Sequence, residues 1–202
     1  MKKLGLDFDN TLIDYDEVFF KLALEKNLIP RTLNKDKKSV RKFFIDNNIE
    51  DEFIKLQGEV YGLKVLEAKQ SFGMFEALRS LKNDNFELVI VSHKTKYPYS
   101  GEKYDLHKAA SNWLEVNKFF DEDGLAMKRE NVYFELTKED KISRIEKLNI
   151  SLYIDDLQSI LQMIKPSIKR ILYSPKFKER IDEDFYLLKN WKNLKLLIQE
   201  IS

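Results

Sequence analysis

Two aspartates one residue apart, Asp7 and Asp9, stand where the apolar run that opens the chain gives out. In an extended chain alternate side chains share a face, so both carboxylates can point into one pocket at a strand's carboxyl end. Such a pocket can hold a divalent cation. The same residue types after a strand also form Asx turns or cap the next helix, and the pair alone leaves both readings open. A calcium loop is excluded, because counting from Asp7 puts Leu12 where the loop needs Gly and Val18 where it needs a bidentate Glu.

Polar residues recur at the ends of other apolar runs. Ser92 follows the run 87–91, with His93 and Lys94 beside it, and Asp155-Asp156 follows the run 151–154. Singly, Ser92 reads as a loop residue, Asp155 as a helix cap, and His93 and Lys94 as a solvated loop. His107 falls within a helical pattern and reads as structural.

The elements that must position these residues follow from periodicity. Residues 3–8 read as a buried strand, apolar on both faces as a parallel sheet requires. From about residue 16 to 61 the period turns helical, interrupted at Pro30 and Asn47-Asn48, which predicts an insert of three or four helices. A helix over 71–81 leads into a strand over 87–91. A polar loop with Pro98 and Gly101 follows, then a helix over 105–116, a short strand over 132–134, and a helix to about 148 capped by Thr137. Beyond the strand 151–154 come a helix from about 158, a last strand over 170–173 and a terminal helix from 184. Alternating strands and helices predict an α/β fold, a parallel sheet covered on both faces, with ligands beyond the carboxyl ends of its strands.

Composition narrows the chemistry. The 202 residues suit one core with a modest insertion. Lys and Arg total 35 against 34 Asp and Glu, so no global field draws the chain to a nucleic acid polymer or an anionic membrane. The basic run 35–42 reads as a solvated helix face. The chain has no cysteine, which removes disulfides, thiolate metal sites and cysteine nucleophiles. No stretch reads as a signal peptide or a membrane span, which predicts a soluble cytoplasmic protein.

Taken in order, Asp7-Phe8-Asp9-Asn10-Thr11, then Ser92 after a buried strand, a lysine heading a helix, and Ile154-Asp155-Asp156 after another strand resemble the haloacid dehalogenase-like (HAD) hydrolase superfamily. The resemblance covers the core motifs and not the insert. It implies a Rossmann-like (HAD-like) parallel-sheet core, residues 1–13 and 74–202, with a small all-helical cap over 14–73. It implies that Asp7 is the nucleophile, Asp9 the general acid and base, and Ser92 a hydrogen-bond donor to a phosphoryl oxygen. Asp7, the Asp9 backbone carbonyl and Asp156 would bind Mg2+, a hard cation suited to oxygen ligands and to substrate phosphate. Asp155 would hold a metal-bound water or orient Asp156, Thr11 would steady the loop through its hydroxyl, and Asn10, His93 and Lys94 would lie about the substrate. The charge-neutralising lysine is Lys141, with Lys138 in reserve. The activity implied is hydrolysis of a small-molecule phosphate ester, a nucleotide or sugar phosphate, through an aspartyl phosphate. A phosphomutase and a non-catalytic binding module of the same fold are the alternatives. Phe19, Phe20, Phe43, Phe44, Phe53 and Tyr61 could line the insert's inner face, but their helical spacing reads first as core.

Overall fold

The structure, a computed structural model, describes residues 2–176 and 184–201. In chain order the elements are β1 (Lys2–Leu6), β2 (Ile13–Asp14), α1 (Asp16–Glu25), α2 (Lys37–Asp46), α3 (Glu50–Gly62), β3 (Lys69–Gln70), α4 (Met74–Asn83) and β4 (Phe86–His93). There follow α5 (Leu106–Val116), β5 (Val132–Glu135), α6 (Lys138–Lys147), β6 (Leu152–Asp155), α7 (Gln158–Met163), β7 (Lys169–Tyr173), β8 (Tyr186–Leu188) and α8 (Leu194–Ile201). The chain divides into two compact units. One holds the residues up to Ile13, Gln70–Lys94 and those from Lys118 on; the other holds Asp14–Lys69 and Thr95–Asn117.

The first unit is built on a six-stranded sheet in the order β5-β4-β1-β6-β7-β8, parallel at every pairing. Its central strands are apolar on both faces because both are covered. On one face Val89, Val91, Tyr153 and Leu172 pack with Ile145 of α6 and Ile160, Leu161 and Ile164 around α7. On the other, α4 packs against α8, and Leu78, Leu81, Leu194 and Ile198 are all buried. Gly5 of β1 stands opposite Tyr153 of β6, and a Cβ at Gly5 would come within 2.5 Å of the Tyr153 ring. A side chain there is excluded by that close approach.

The second unit is helical, with α1, α2 and α3 closing on an aromatic core. Phe19 stacks on Phe53 at 5.5 Å and 16°, and Phe44 meets Phe53 edge-on at 5.8 Å. Phe19 and Phe44 are fully buried, so these rings are core. Tyr61 lies at the margin, 4.6 Å from the Tyr15 ring, with its hydroxyl accepting from Lys37 Nζ. Asp36 caps α2 through the Ser39 amide, which accounts for the start of the helix inside the basic run 35–42.

Three elements differ from the sequence reading. Ser92 and His93 are the last residues of β4, where a loop was expected. Residues 184 onward open with the parallel strand β8, which pairs Ile171 with Tyr186, before a single 3-10 turn at Trp191–Asn193 and a shorter α8. Thr95–Asn117 groups with the insert helices and not with the sheet. Gly58 and Gly62, one turn apart on α3, leave room for Pro98 and Tyr104 of that segment, and the Trp113 indole donates to the Ala68 carbonyl at 2.9 Å.

Candidate active site

Each candidate residue comes from the carboxyl end of a strand or the first turn of a helix. β1 ends at Leu6, and the Asp7 amide extends the ladder by donating to the Ile154 carbonyl. The chain then turns tightly: Asn10 adopts φ 57°, a left-handed conformation that Asn tolerates, and the Leu12 amide returns to the Phe8 carbonyl. By strand alternation Gly5 and Asp7 share a face, as do Tyr153 and Asp155, and Tyr153 belongs to the cluster under α6. A residue in the first turn of α6 is therefore placed to meet both aspartates. Lys141 does so.

Lys141 Nζ lies 2.7 Å from Asp7 Oδ1 and 2.7 Å from Asp155 Oδ2, and all three side chains are buried. Ser92 Oγ donates to the same Asp7 oxygen at 2.8 Å. Asp155 Oδ1 accepts from the Leu157 amide at 2.8 Å, so this residue both caps the turn into α7 and faces the cluster. Thr137 caps α6 through the Asp140 amide, which sets the helix start that aims Lys141 inward. Lys138, one residue past the cap, is exposed.

Charge at this cluster is unbalanced. Two buried carboxylates share one ammonium. Burial, and then the Asp7 charge, push the Asp155 carboxyl up to about 7 despite the pull of Lys141. Burial works against the Lys141 charge, but Asp7, Tyr153 and Asp155 outweigh it and hold the lysine well above its ordinary range. Tyr153, whose ring centroid is 5.6 Å from Lys141 Nζ, is held protonated chiefly by burial.

Ligand oxygens of Asp7, Asp155 and Asp156 all lie within 4.8 Å of one another. An all-carboxylate set of hard oxygens with an excess of negative charge fits a divalent cation such as Mg2+. Asp156 is half-buried at the rim of this group.

A second ion pair sits beside the first. Lys94, only 4% exposed, places Nζ 2.9 Å from Asp9 Oδ1 and 2.8 Å from Asp9 Oδ2. Its amide donates to the Glu135 carbonyl at 2.8 Å, and its ammonium lies 5.5 Å from the Phe8 ring centroid. His93 points elsewhere, with Nε2 3.1 Å from the Leu136 carbonyl. Thr11 is fully buried, and its hydroxyl finds no hydrogen-bond partner among the described residues. His107 lies on α5, away from this group in sequence and in the other unit.

Sequence reasoning missed two participants. Tyr153 under Lys141 was legible only as a polar-tipped residue inside a buried strand. The partnership of Lys94 with Asp9 depends on how β4 stands against β1, which spacing along the chain does not encode.

No family model matches the sequence, and no curated protein matches it. Solved structures do match its fold. A predicted phosphatase from Clostridium acetobutylicum aligns over 98% of each chain with a TM-score of 0.60 at 19% identity. A HAD family hydrolase from Deinococcus radiodurans, with bound phosphate and sodium, aligns over 99% of this chain and 96% of its own, with a TM-score of 0.59 at 11% identity. A putative beta-phosphoglucomutase from Thermotoga maritima aligns over the whole of both chains with a TM-score of 0.55 at 14% identity. The chain has the fold of the HAD-like hydrolases. Among the described residues no helix is long and apolar enough to cross a membrane.

Proposed function

We propose that this protein is a Mg2+-dependent phosphatase that hydrolyses a small phosphorylated metabolite through a phosphorylated Asp7. The observation that carries this reading is the Asp7 carboxylate held through one oxygen by both Ser92 and Lys141, inside a carboxylate cluster suited to a dication. An anionic nucleophile approaching an anionic ester needs fixed positive charge in place beforehand.

With Oδ1 occupied by Lys141, Asp7 Oδ2 attacks phosphorus. The bridging oxygen departs with a proton from Asp9, whose backbone carbonyl, together with Asp7 and Asp156, would hold the cation. When bound, Mg2+ supplies charge neutralisation and orients the phosphate. In the second half Asp9 takes a proton from water as the water oxygen attacks the phosphoryl group and frees Asp7. Lys141, with one N–H left beyond those to Asp7 and Asp155, reaches a phosphoryl oxygen through both halves and is kept aimed by Asp155, while Ser92 turns its one hydroxyl proton from Asp7 to the phosphoryl group when the ester binds. The substrate is read as a nucleotide or sugar phosphate.

The likeness in fold to a putative mutase keeps one rival in view, since the same residues can return the phosphoryl group to substrate. Assay of the purified protein with a panel of nucleotide and sugar phosphates separates the two. Inorganic phosphate released in step with substrate loss, only when Mg2+ is present, supports the phosphatase. An isomerised ester without free phosphate supports the mutase, and no reaction with any ester removes both.

A further inference from the structure

The reaction proposed above assigns Asp9 a proton-carrying role but gives no reason for its carboxyl group to stay in one place. Asp9 lies two residues past the nucleophile, in the tight turn that follows β1. Its carboxylate meets the Lys94 ammonium through both oxygens. A lysine this deeply buried requires a partner, because an ammonium removed from water without one costs several kcal/mol. The backbone at Lys94 is in turn fixed by its bond to the Glu135 carbonyl on the neighbouring strand. Beneath the ammonium the Phe8 ring is itself fully buried and packed edge-on against Phe134 at 5.9 Å. Lys94 is thus held at its backbone and packed under its ammonium.

We propose that Lys94 is the positioning residue for Asp9: its buried ammonium holds one carboxylate oxygen while the other carries the proton to and from the reacting ester. In the first half-reaction the Asp7–phosphorus bond forms as the phosphorus–oxygen bond to the leaving group breaks, and the Asp9 proton passes to the departing oxygen. In the second half a water proton passes back to Asp9. Lys94 keeps its own proton throughout and touches neither the phosphoryl group nor the leaving group. This differs from a substrate-facing role for Lys94 and rests on the phosphatase reading of the site.

A series of aryl phosphates tests it, running from 2,4-dinitrophenyl phosphate, whose leaving group departs without a proton, to phenyl phosphate, which needs one. Positioned acid catalysis contributes about 100-fold or more where a proton is required. Lys94→Met is expected to lower kcat/KM, which reports only the steps through departure of the leaving group, by about 100-fold for phenyl phosphate and by less than about tenfold for the dinitrophenyl ester, while the hydrolysis of phosphorylated Asp7, shared by all the esters, slows kcat alike for each. Lys94→Arg, which keeps a charge and a two-oxygen contact, is expected to recover part of the phenyl phosphate rate. Equal losses of kcat/KM across the series would reduce Lys94 to a structural residue, and a raised KM with kcat preserved would make it a substrate ligand. Either result overturns the proposal. If Lys94→Met does not fold, Asp9→Asn/Lys94→Met, which removes both charges together, is compared with Asp9→Asn. Equal turnover of phenyl phosphate by the two supports action through Asp9, and a further fall of about tenfold refutes it. A wild-type protein inactive on the whole series removes the phosphatase reading and this proposal together, whereas an active wild type with uniform losses of kcat/KM removes only the role of Lys94.

Discussion

Lys141 Nζ stands 2.7 Å from Asp7 Oδ1, joining the end of the first strand to the first turn of a helix 134 residues later. The bond is buried, and the lysine is shared with Asp155 at the same distance. Removing it would leave two carboxylates facing each other out of water. Lys141→Met should therefore lower stability by about 3–5 kcal/mol in chelator and less in Mg2+, and should depress turnover at least 100-fold. Lys138→Ala, at an exposed position, should change either by little. Thermal melts with and without Mg2+, paired with phosphate release, check both variants.

Proton and cation compete for the same cluster. The Asp155 carboxyl in the folded protein is raised to about 7 from an ordinary 3.8. Its contribution to stability is therefore present below about pH 4 and is lost as pH rises through 7, the reverse of the usual ion-paired carboxylate. A dication held beside it by Asp7 and Asp156 is bound more tightly when Asp155 is ionised, so the rise in melting temperature on adding Mg2+ should be larger at pH 8 than at pH 5.5. An equal rise at both would mean that Mg2+ does not meet this cluster.

At Gly5 packing sets the expected outcome. A methyl group there drives into the Tyr153 ring, whose face lies near Lys141. Gly5→Ala should cost about 1–3 kcal/mol by overpacking and lower turnover through the displaced lysine. Gly5→Ala/Tyr153→Phe should recover little of either, because the clash is with the ring and not its hydroxyl.

Phe53 tests whether the aromatic residues of the insert are core or substrate contacts. It is stacked on Phe19 and edge-on to Phe44. Phe53→Ala should cost about 3–5 kcal/mol in a denaturant titration. A KM change without that loss would assign it to the substrate.

Much of the parallel sheet is legible in the chain because β1, β4 and β6 are short apolar runs bounded by polar residues, which in turn mark the strand ends where Asp7, Ser92 and Asp155 lie. β8 is not legible. Tyr186–Leu188 is three residues long and flows into the apolar pattern of α8, so only its pairing with β7 makes it a strand. Likewise Thr95–Asn117 reads as part of the core by its place in the chain, while its grouping with α3 rests on Pro98 and Tyr104 fitting over two glycines some forty residues earlier. At the site, Lys141 stands out by its position at a capped helix start. Lys94 does not, since in a chain with 35 basic residues its burial against Asp9 is a consequence of tertiary packing.

The most direct test of the account is acid quench of a reaction between the protein, Mg2+ and a turned-over ester, followed by peptide mass analysis. A single phosphoryl adduct on the peptide containing Asp7, absent from Asp7→Asn, is the predicted result. Undiminished hydrolysis by Asp7→Asn, or an adduct on another residue, would contradict it.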